Sequence, residues 1–220
     1  MRIVIVVPRY GVSILGGAES QARGFAKESV RRGWEVEVWT TCAQSHYTWE
    51  NYYSIGKELI DGVPVRRFPI TDWVPFERAP LERQLQTQGQ LSMDEEIAWL
   101  GSGPHSLPLY AHLLAFAEDF DVVVALPYTS PLVHSIVWLV PERLVLWPCL
   151  HDEPYAYMGI VRLALENVWG VMFNSPEEAG LAIGRLRVQP KHYSVLGEGV
   201  TLGSAANPPK HLGLPVSLKR

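Results

Sequence analysis

The first 32 residues constrain the fold of this chain more than any other stretch. Residues 2–7 are a run of mostly β-branched apolar side chains, typical of a strand that is covered on both faces in a parallel α/β sheet. A glycine-containing loop follows over residues 8–17, and residues 18–32 then place small and apolar side chains on one face, as an amphipathic helix does. The chain therefore opens with a strand, a glycine-rich loop and a helix.

Gly16 and Gly17 lie where that helix is predicted to begin. Free backbone N–H groups and the helix dipole favour an anionic oxygen at such a place, and glycine lets a ligand approach the backbone closely. The spacing matches neither the dinucleotide-binding glycine pattern nor the P-loop, so neither of those mechanisms is supported. The pair predicts either a ligand site of another kind or no more than a turn.

Strand and helix patterns alternate through the chain up to about residue 200. The strands after the first are predicted at residues 35–41, 63–68, 121–126, 143–147, 169–173 and 193–196. Residues 63–68 are expected at an edge, because Pro64 cannot donate a hydrogen bond in a central strand. The alternation predicts one α/β domain, with a Rossmann-like, doubly wound and mainly parallel sheet.

Two irregular stretches leave alternatives open. Aromatic side chains in residues 42–57, Tyr47 and Trp49 among them, either line a pocket or pack over a sheet edge. Residues 71–90 contain Trp73, two prolines and an Arg/Gln-rich run with helical potential, so they form either a mobile loop over a cleft or an excursion. Their aromatic and proline cluster is also a candidate contact for a lipid or an apolar acceptor.

Composition narrows the class of partner. Of the 220 residues 47% are hydrophobic, enough for a sizeable core, while the net charge of −4 and the lack of a Lys/Arg cluster disfavour nucleic acid or an anionic membrane. Two cysteines offer neither a metal-ligand spacing nor a disulfide framework, and no segment approaches the roughly 20 apolar residues of a membrane helix. We expect a cytoplasmic protein with one domain at residues 1–200 and a linker or mobile tail at residues 201–220.

Polar clusters follow four of the predicted strands. In a parallel sheet of this kind the ligand lies beyond the carboxyl ends of the strands. The clusters are Gly16-Gly17, Tyr128-Thr129, His151-Asp152-Glu153 and Asn174-Ser175. Four clusters at one edge are more than turn formation explains, so we expect them to line a cleft.

His151 is the main candidate for chemistry. A histidine in a loop at a strand end can donate a hydrogen bond to a substrate hydroxyl or accept a proton near neutral pH, and Asp152 or Glu153 could orient it. The alternative is a structural histidine bonded to the backbone. A metal site is not expected from these three consecutive residues, because their side chains point in different directions. No serine or cysteine has the surroundings of a nucleophile.

The chain also carries a set of motifs in a fixed order. They are Val7-Pro-Arg-Tyr-Gly, Gly16-Gly-Ala-Glu19, Arg32-Gly-Trp-Glu-Val-Glu-Val, Asp61-Gly-Val-Pro-Val-Arg, His151-Asp-Glu-Pro and Phe173-Asn-Ser-Pro-Glu-Glu178. From Met1 to about Val200 the chain resembles the amino-terminal half of family-4 retaining glycosyltransferases, which have the two-domain GT-B fold. The Gly-Gly-Ala-Glu loop combined with the late His-Asp pair is the most specific part of this resemblance.

The resemblance implies an enzyme that moves a sugar from a nucleotide diphosphate sugar to an acceptor with retained configuration, without a cofactor or catalytic metal. It implies that this domain holds the acceptor, a carbohydrate or glycolipid, with at most peripheral membrane contact. The loop with Gly16, Gly17 and Glu19 would approach donor phosphate and acceptor, and His151, assigned with Asp152 as the catalytic pair, would contact the transferred sugar. The expected cleft rim is Arg9, Tyr128, Thr129, Glu153, Asn174 and Ser175.

The chain departs from the family pattern in one respect. The family's carboxy-terminal domain binds most of the nucleotide and carries a paired-glutamate motif and a basic residue for the diphosphate, whereas this chain ends at Arg220 without them. Fixed cations supply much of the leaving-group stabilisation in such catalysis, so we expect the chain alone to be nearly inactive. A stand-alone sugar- or nucleotide-binding module and a subunit of a split transferase remain alternatives. A Rossmann-type oxidoreductase is disfavoured, because Thr40 and Thr41 stand where the ribose-binding acid belongs.

Overall fold

The structure is a computed structural model that describes residues 1–197. Its strands are β1 (Arg2–Val6), β2 (Glu35–Thr41), β3 (Gly56–Ile60), β4 (Val63–Phe68), β5 (Val122–Ala125), β6 (Leu144–Leu146), β7 (Gly170–Phe173) and β8 (Tyr193–Val195). They form one sheet in the order β3-β4-β2-β1-β5-β6-β7-β8. Only β3 and β4 pair antiparallel within the described range; every other neighbouring pair is parallel.

Helices connect the parallel strands. They are α1 (Gly17–Arg31), α2 (Pro75–Gln88), α3 (Met93–Gly101), α4 (Leu107–Phe116), α5 (Pro131–Leu139), α6 (Gly159–Asn167) and α7 (Pro176–Ala179), and α7 continues as a π-helical segment, Gly180–Arg185. The doubly wound, mainly parallel α/β fold expected from the sequence is confirmed.

Strand β1 is buried on both faces, as its sequence predicts. Ile3 and Ile5 belong to one hydrophobic cluster, together with Ala22 and Ala26 of α1. Val4 and Val6 belong to a second cluster, to which α5 and α6 also contribute. Because successive side chains of a strand point to opposite faces, the two clusters are the two cores on either side of the sheet.

The prediction that residues 63–68 form an edge strand is wrong. Strand β4 lies between β3 and β2, and β3, which the sequence analysis did not predict, takes the edge position. Pro64 is accommodated because pairing with β2 begins only at Val65, one residue further on. The Asp61-Gly62 turn that joins β3 to β4 has positive φ at both residues, as a type I′ hairpin requires.

Residues 75–88, within the irregular stretch at 71–90, form helix α2. The Arg78 guanidinium stacks on the Trp99 ring at 3.8 Å, and its Nη1 donates a 2.7 Å hydrogen bond to the Trp99 carbonyl, so α2 is fixed on α3. Residues 198–200 of the predicted domain and the predicted tail at 201–220 lie outside the described residues. In the described part of the chain, no helix has the length and apolar character that crossing a membrane requires.

Candidate functional site

The carboxyl edge of the sheet carries two neighbouring cavities. The loop cavity, about 680 Å³, lies over the ends of β1, β2, β4 and β5, and its lining includes Arg9, Gly16, Glu19, Tyr47, Trp49, Trp73, Arg78 and Thr129. The His151 cavity, about 620 Å³, lies over β6 and β7, and its lining includes Cys149, His151, Asp152, Asn174, Ser175, Glu178 and Arg185. The sequence predicted one rim, whereas the structure divides it into two cavities.

The loop cavity lies at the topological switch point of the sheet. From β1 the strand order runs to β2 and β4 on one side, and from β5 to β6 and β7 on the other. Parallel α/β sheets bind ligands in the crevice where the order reverses, between β1 and β5 here. Loops that follow β1 and β5 both line this cavity, so the fold alone marks it as a ligand site.

The predicted site residues are distributed unevenly. Arg9, Gly16, Glu19 and Thr129 line the loop cavity, and His151, Asp152, Asn174 and Ser175 line the His151 cavity. Gly17, Tyr128 and Glu153 line neither of them. Cys149, which lines the His151 cavity, donates a 3.0 Å hydrogen bond from its thiol to the side chain of Gln21, one helical turn after Gly17 in α1.

Glu19 and Arg9 form a buried ion pair on the wall of the loop cavity. Glu19 lies in the first turn of α1, where the helix dipole favours a carboxylate. Arg9 also donates a 3.1 Å hydrogen bond to the carbonyl of Gln44, which ties the glycine loop to the loop after β2. Glu19 Oε2 has no hydrogen-bond partner in residues 1–197, so it can accept one from a ligand hydroxyl.

The two glycines at the start of α1 serve different purposes. Gly16 has extended backbone, which any residue adopts, but a Cβ atom there would lie 2.9 Å from the carboxyl carbon of Glu19. Apart from its chain neighbours and the backbone of its own helix, no described residue comes within 4 Å of a Cβ placed on Gly17. Gly16 therefore makes room for Glu19, while the backbone at Gly17 is open to a ligand.

His46 and Tyr47 decide between the alternatives for residues 42–57. Both side chains line the loop cavity, as does Trp49, and the two rings contact each other with centroids 3.9 Å apart. Partial burial, and next the charge of Arg9, lower the pKa of His46 below its ordinary value. These aromatic residues line a pocket.

Arg78 is a site residue that the sequence analysis missed. It is buried, its Nε donates a 2.7 Å hydrogen bond to Glu82, and both side chains line the loop cavity. Burial lowers the pKa of the guanidinium, and the neighbouring Glu82 carboxylate opposes that shift. Arg78 stands within an Arg/Gln-rich run, and no feature of that run's sequence distinguishes this buried arginine from an exposed one such as Arg83.

His151 is exposed, and its ring makes no hydrogen bond within residues 1–197. The carboxylates expected to orient it are engaged elsewhere: Asp152 accepts from the Tyr157 hydroxyl at 2.7 Å and pairs with Arg185, and Glu153 accepts from Tyr128. The Tyr157 hydrogen bond, with support from Arg185, lowers the pKa of Asp152. The imidazole is thus available to a ligand, without a carboxylate partner in the described chain.

Several predicted rim residues hold the strand ends together. The Asn174 side chain accepts a 2.6 Å hydrogen bond from the Trp147 indole, and the Ser175 hydroxyl caps α7. The buried carboxylate of Glu178 accepts from the backbone N–H groups of Leu150 and Asn174, so it connects the loop that carries His151 to the end of β7. The Ser-Pro-Glu-Glu pattern is typical of a helix start, but it does not indicate this second use of Glu178.

Two solved structures with the same fold are of sucrose-phosphate synthase from Thermosynechococcus elongatus. One is a domain-sized piece, which the chain matches with a TM-score of 0.53 and 14% identity over 90% of both chains. The other gives a TM-score of 0.52 and 14% identity over 91% of this chain and 49% of that chain. The chain shares the fold of this synthase domain. It spans about half the length of the second synthase structure.

At 14% identity the likeness shows the fold alone. No protein-family model matches the chain. No curated protein matches it either. Among residues 1–197, no three His, Cys, Asp or Glu side chains come close enough together to hold a metal ion. Independence from a metal stays a prediction of the resemblance.

Proposed function

We propose that this chain is the acceptor-binding half of a retaining glycosyltransferase, which moves a sugar from a nucleotide diphosphate sugar to a carbohydrate or glycolipid acceptor. The observation that carries the proposal is the loop cavity at the switch point of a glycosyltransferase-like sheet. The motifs shared with family-4 enzymes support the retaining chemistry. Peripheral membrane contact at most and a cytoplasmic location belong to the same proposal.

The loop cavity suits a sugar acceptor in size and lining. Its volume of about 680 Å³ is within the usual range of roughly 300–1,000 Å³ for small-molecule sites. Trp49, Trp73 and Tyr47 offer flat faces against which a sugar ring can pack. Glu19 Oε2 and the Thr129 side chain offer partners for sugar hydroxyls at the same site.

His151 is assigned to the donor side. Its exposed imidazole in the His151 cavity is placed to donate a hydrogen bond to a hydroxyl of the transferred sugar. Gly17 offers an accessible backbone at the start of α1, where the helix dipole favours the donor phosphate. Asp152, bonded by Tyr157 and Arg185, fixes the loop around His151.

The electrostatics of the His151 cavity explain why the chain alone would be inactive. Of the described cationic side chains, only Arg185 lines this cavity, and it is already paired with Asp152. A departing nucleoside diphosphate carries several negative charges, and its stabilisation by fixed cations is a large part of the catalytic effect. Those cations would come from a carboxy-terminal domain, in the same chain or in a partner subunit.

The test uses ligand-detected NMR with the 220-residue chain and a panel of methyl glycosides and nucleotide diphosphate sugars. Saturable binding of a glycoside that is lost in the Trp73→Ala variant is expected, together with no release of sugar from any donor. The matched control is Trp138→Ala, an exposed tryptophan that does not line the loop cavity. Donor turnover at the rate of a whole enzyme by the chain alone would contradict the proposal. Binding of nucleotides with no glycoside would instead favour a nucleotide-binding module.

A further inference from the structure

The mouth of the loop cavity exposes large apolar side chains. Leu15 and Tyr47 line the cavity, yet they are 87% and 80% exposed. They come from the glycine loop and the loop after β2. Exposed apolar side chains that line one cavity together with polar residues are typical of a binding surface. Exposed apolar side chains that are scattered singly are ordinary and indicate no site.

The deeper part of the same cavity is polar but has balanced charge. Arg9 is paired with Glu19, and Arg78 is paired with Glu82. Partial burial and the charge of Arg9 lower the pKa of the neighbouring His46, which disfavours a further cation at this site. A phosphate or carboxylate would find no uncompensated cation here among the described residues, whereas hydroxyl groups find both donors and acceptors.

We propose that the acceptor is an amphipathic glycoside: its uncharged sugar lies between the two Arg–Glu pairs, and its apolar chain lies over Leu15 and Tyr47. This inference rests on the proposed function and narrows its acceptor class. The apolar mouth is continuous with the sugar site, so one molecule with a polar head and an apolar tail covers both. The balanced charges select a neutral head over an anionic one.

The test compares methyl and octyl glycosides of the same sugars, below the micelle-forming concentration, by ligand-detected NMR with the full chain. Each methylene buried contributes about fourfold in affinity, so burial of two or more makes the octyl glycoside over tenfold tighter. Leu15→Ser should weaken the octyl glycoside at least threefold and leave the methyl glycoside unchanged. Leu59→Ser, at an exposed apolar residue of edge strand β3, is the matched control and should change neither.

The outcomes separate this inference from the proposed function. Equal affinity for methyl and octyl glycosides would overturn the amphipathic acceptor and leave the acceptor-binding function standing, whereas no binding of any glycoside would overturn both. Equally tight binding of octyl tetraethylene glycol would show an unspecific apolar surface. Tighter binding of glucose 6-phosphate than of glucose would exclude the neutral head. Sedimentation with phosphatidylcholine vesicles that is lost in Leu15→Ser would identify a membrane contact instead.

Discussion

The hydroxyl of Tyr128 donates a 2.6 Å hydrogen bond to the carboxylate of Glu153, and so joins the end of β5 to the loop that carries His151. Burial, together with the neighbouring carboxylate, raises the pKa of Tyr128, which keeps the hydroxyl protonated and donating. The contact crosses from the switch point of the sheet to the His151 loop. Tyr128 and Glu153, which the sequence predicts at the cleft rim, therefore connect the segment after β5 to the loop that lines the His151 cavity.

Tyr128→Phe removes this hydrogen bond and leaves the rest of the side chain in place. Because a hydrogen bond to a charged acceptor is lost from a buried site, the free energy of unfolding should fall by about 2 kcal/mol. Urea denaturation measures the loss. Tyr157→Phe is the control, since its hydroxyl bonds the exposed Asp152 and should contribute less than about 1 kcal/mol. Equal losses in the two variants would contradict the structural role of Tyr128.

Glu178→Gln tests the carboxylate that bonds two backbone N–H groups. A glutamine amide presents one acceptor and one donor there, so one N–H group, of Leu150 or Asn174, loses its partner. We expect the free energy of unfolding to fall by about 2 kcal/mol, measured by urea denaturation. Glu177→Gln, at the exposed neighbouring carboxylate, should leave the free energy of unfolding unchanged. An unchanged Glu178→Gln variant would show that these bonds do not hold the His151 loop.

His134 makes the stability of the fold pH-dependent. It is buried in α5, neither ring nitrogen has a hydrogen-bond partner in residues 1–197, and burial lowers its pKa to about 4. The unfolded chain binds the proton from about pH 6.5 downward and the folded chain does not, so stability is complete above pH 6.5 and falls as the pH drops towards 4. Between pH 7 and pH 5 this group alone should lower the free energy of unfolding by about 2 kcal/mol.

His134→Leu should remove that dependence and keep the volume of the site. Urea denaturation at pH 7 and at pH 5 measures the difference for the variant, for the parent chain and for His192→Leu, the same substitution at an exposed histidine. A His134→Leu variant that loses as much stability between pH 7 and pH 5 as the parent would refute the assignment.

Gly16→Ala and Gly17→Ala separate the structural glycine from the one that a ligand approaches. The added Cβ at Gly16 would clash with the Glu19 carboxylate, which Arg9 holds in place. The free energy of unfolding should therefore fall by about 1–2 kcal/mol. The Cβ at Gly17 meets no described residue apart from its chain neighbours and the backbone of its own helix, and stability should stay within about 0.5 kcal/mol. Under the proposed function, Gly17→Ala should nevertheless weaken the binding of a nucleotide diphosphate sugar by this chain together with a donor-binding domain, measured by titration. Unchanged donor affinity would exclude Gly17 from the site.

The sequence predicts those parts of the fold that local chemistry determines. The β-branched run of β1 forms a strand as expected, and the Ser-Pro-Glu-Glu sequence forms a capped helix start at Ser175, since each depends on residues a few positions apart. Strand β3 escaped prediction because its side chains are mostly exposed and only pairing with β4 defines it.

The sequence predicts where in the fold the candidate site lies, but not which side chains line it. Parallel topology brings the four polar clusters to one edge, which the sequence alone indicates. Which side chains face a cavity depends on contacts between distant segments, such as Trp147 with Asn174 or Arg78 with Trp99. No spacing rule encodes these contacts, so Arg78 was missed and Asn174 was assigned to the rim without its structural role.

The central claim is that the loop cavity binds a sugar, and the indole N–H signals of the tryptophans test it most directly. Trp49 and Trp73 line the cavity, whereas Trp138 and Trp169 are exposed and do not line it. In a two-dimensional ¹H–¹⁵N NMR titration of the chain with methyl and octyl glycosides, the account predicts saturable shifts of the Trp49 and Trp73 signals and none of the other two. Shifts confined to Trp138 or Trp169, or no shift with any glycoside, would contradict it.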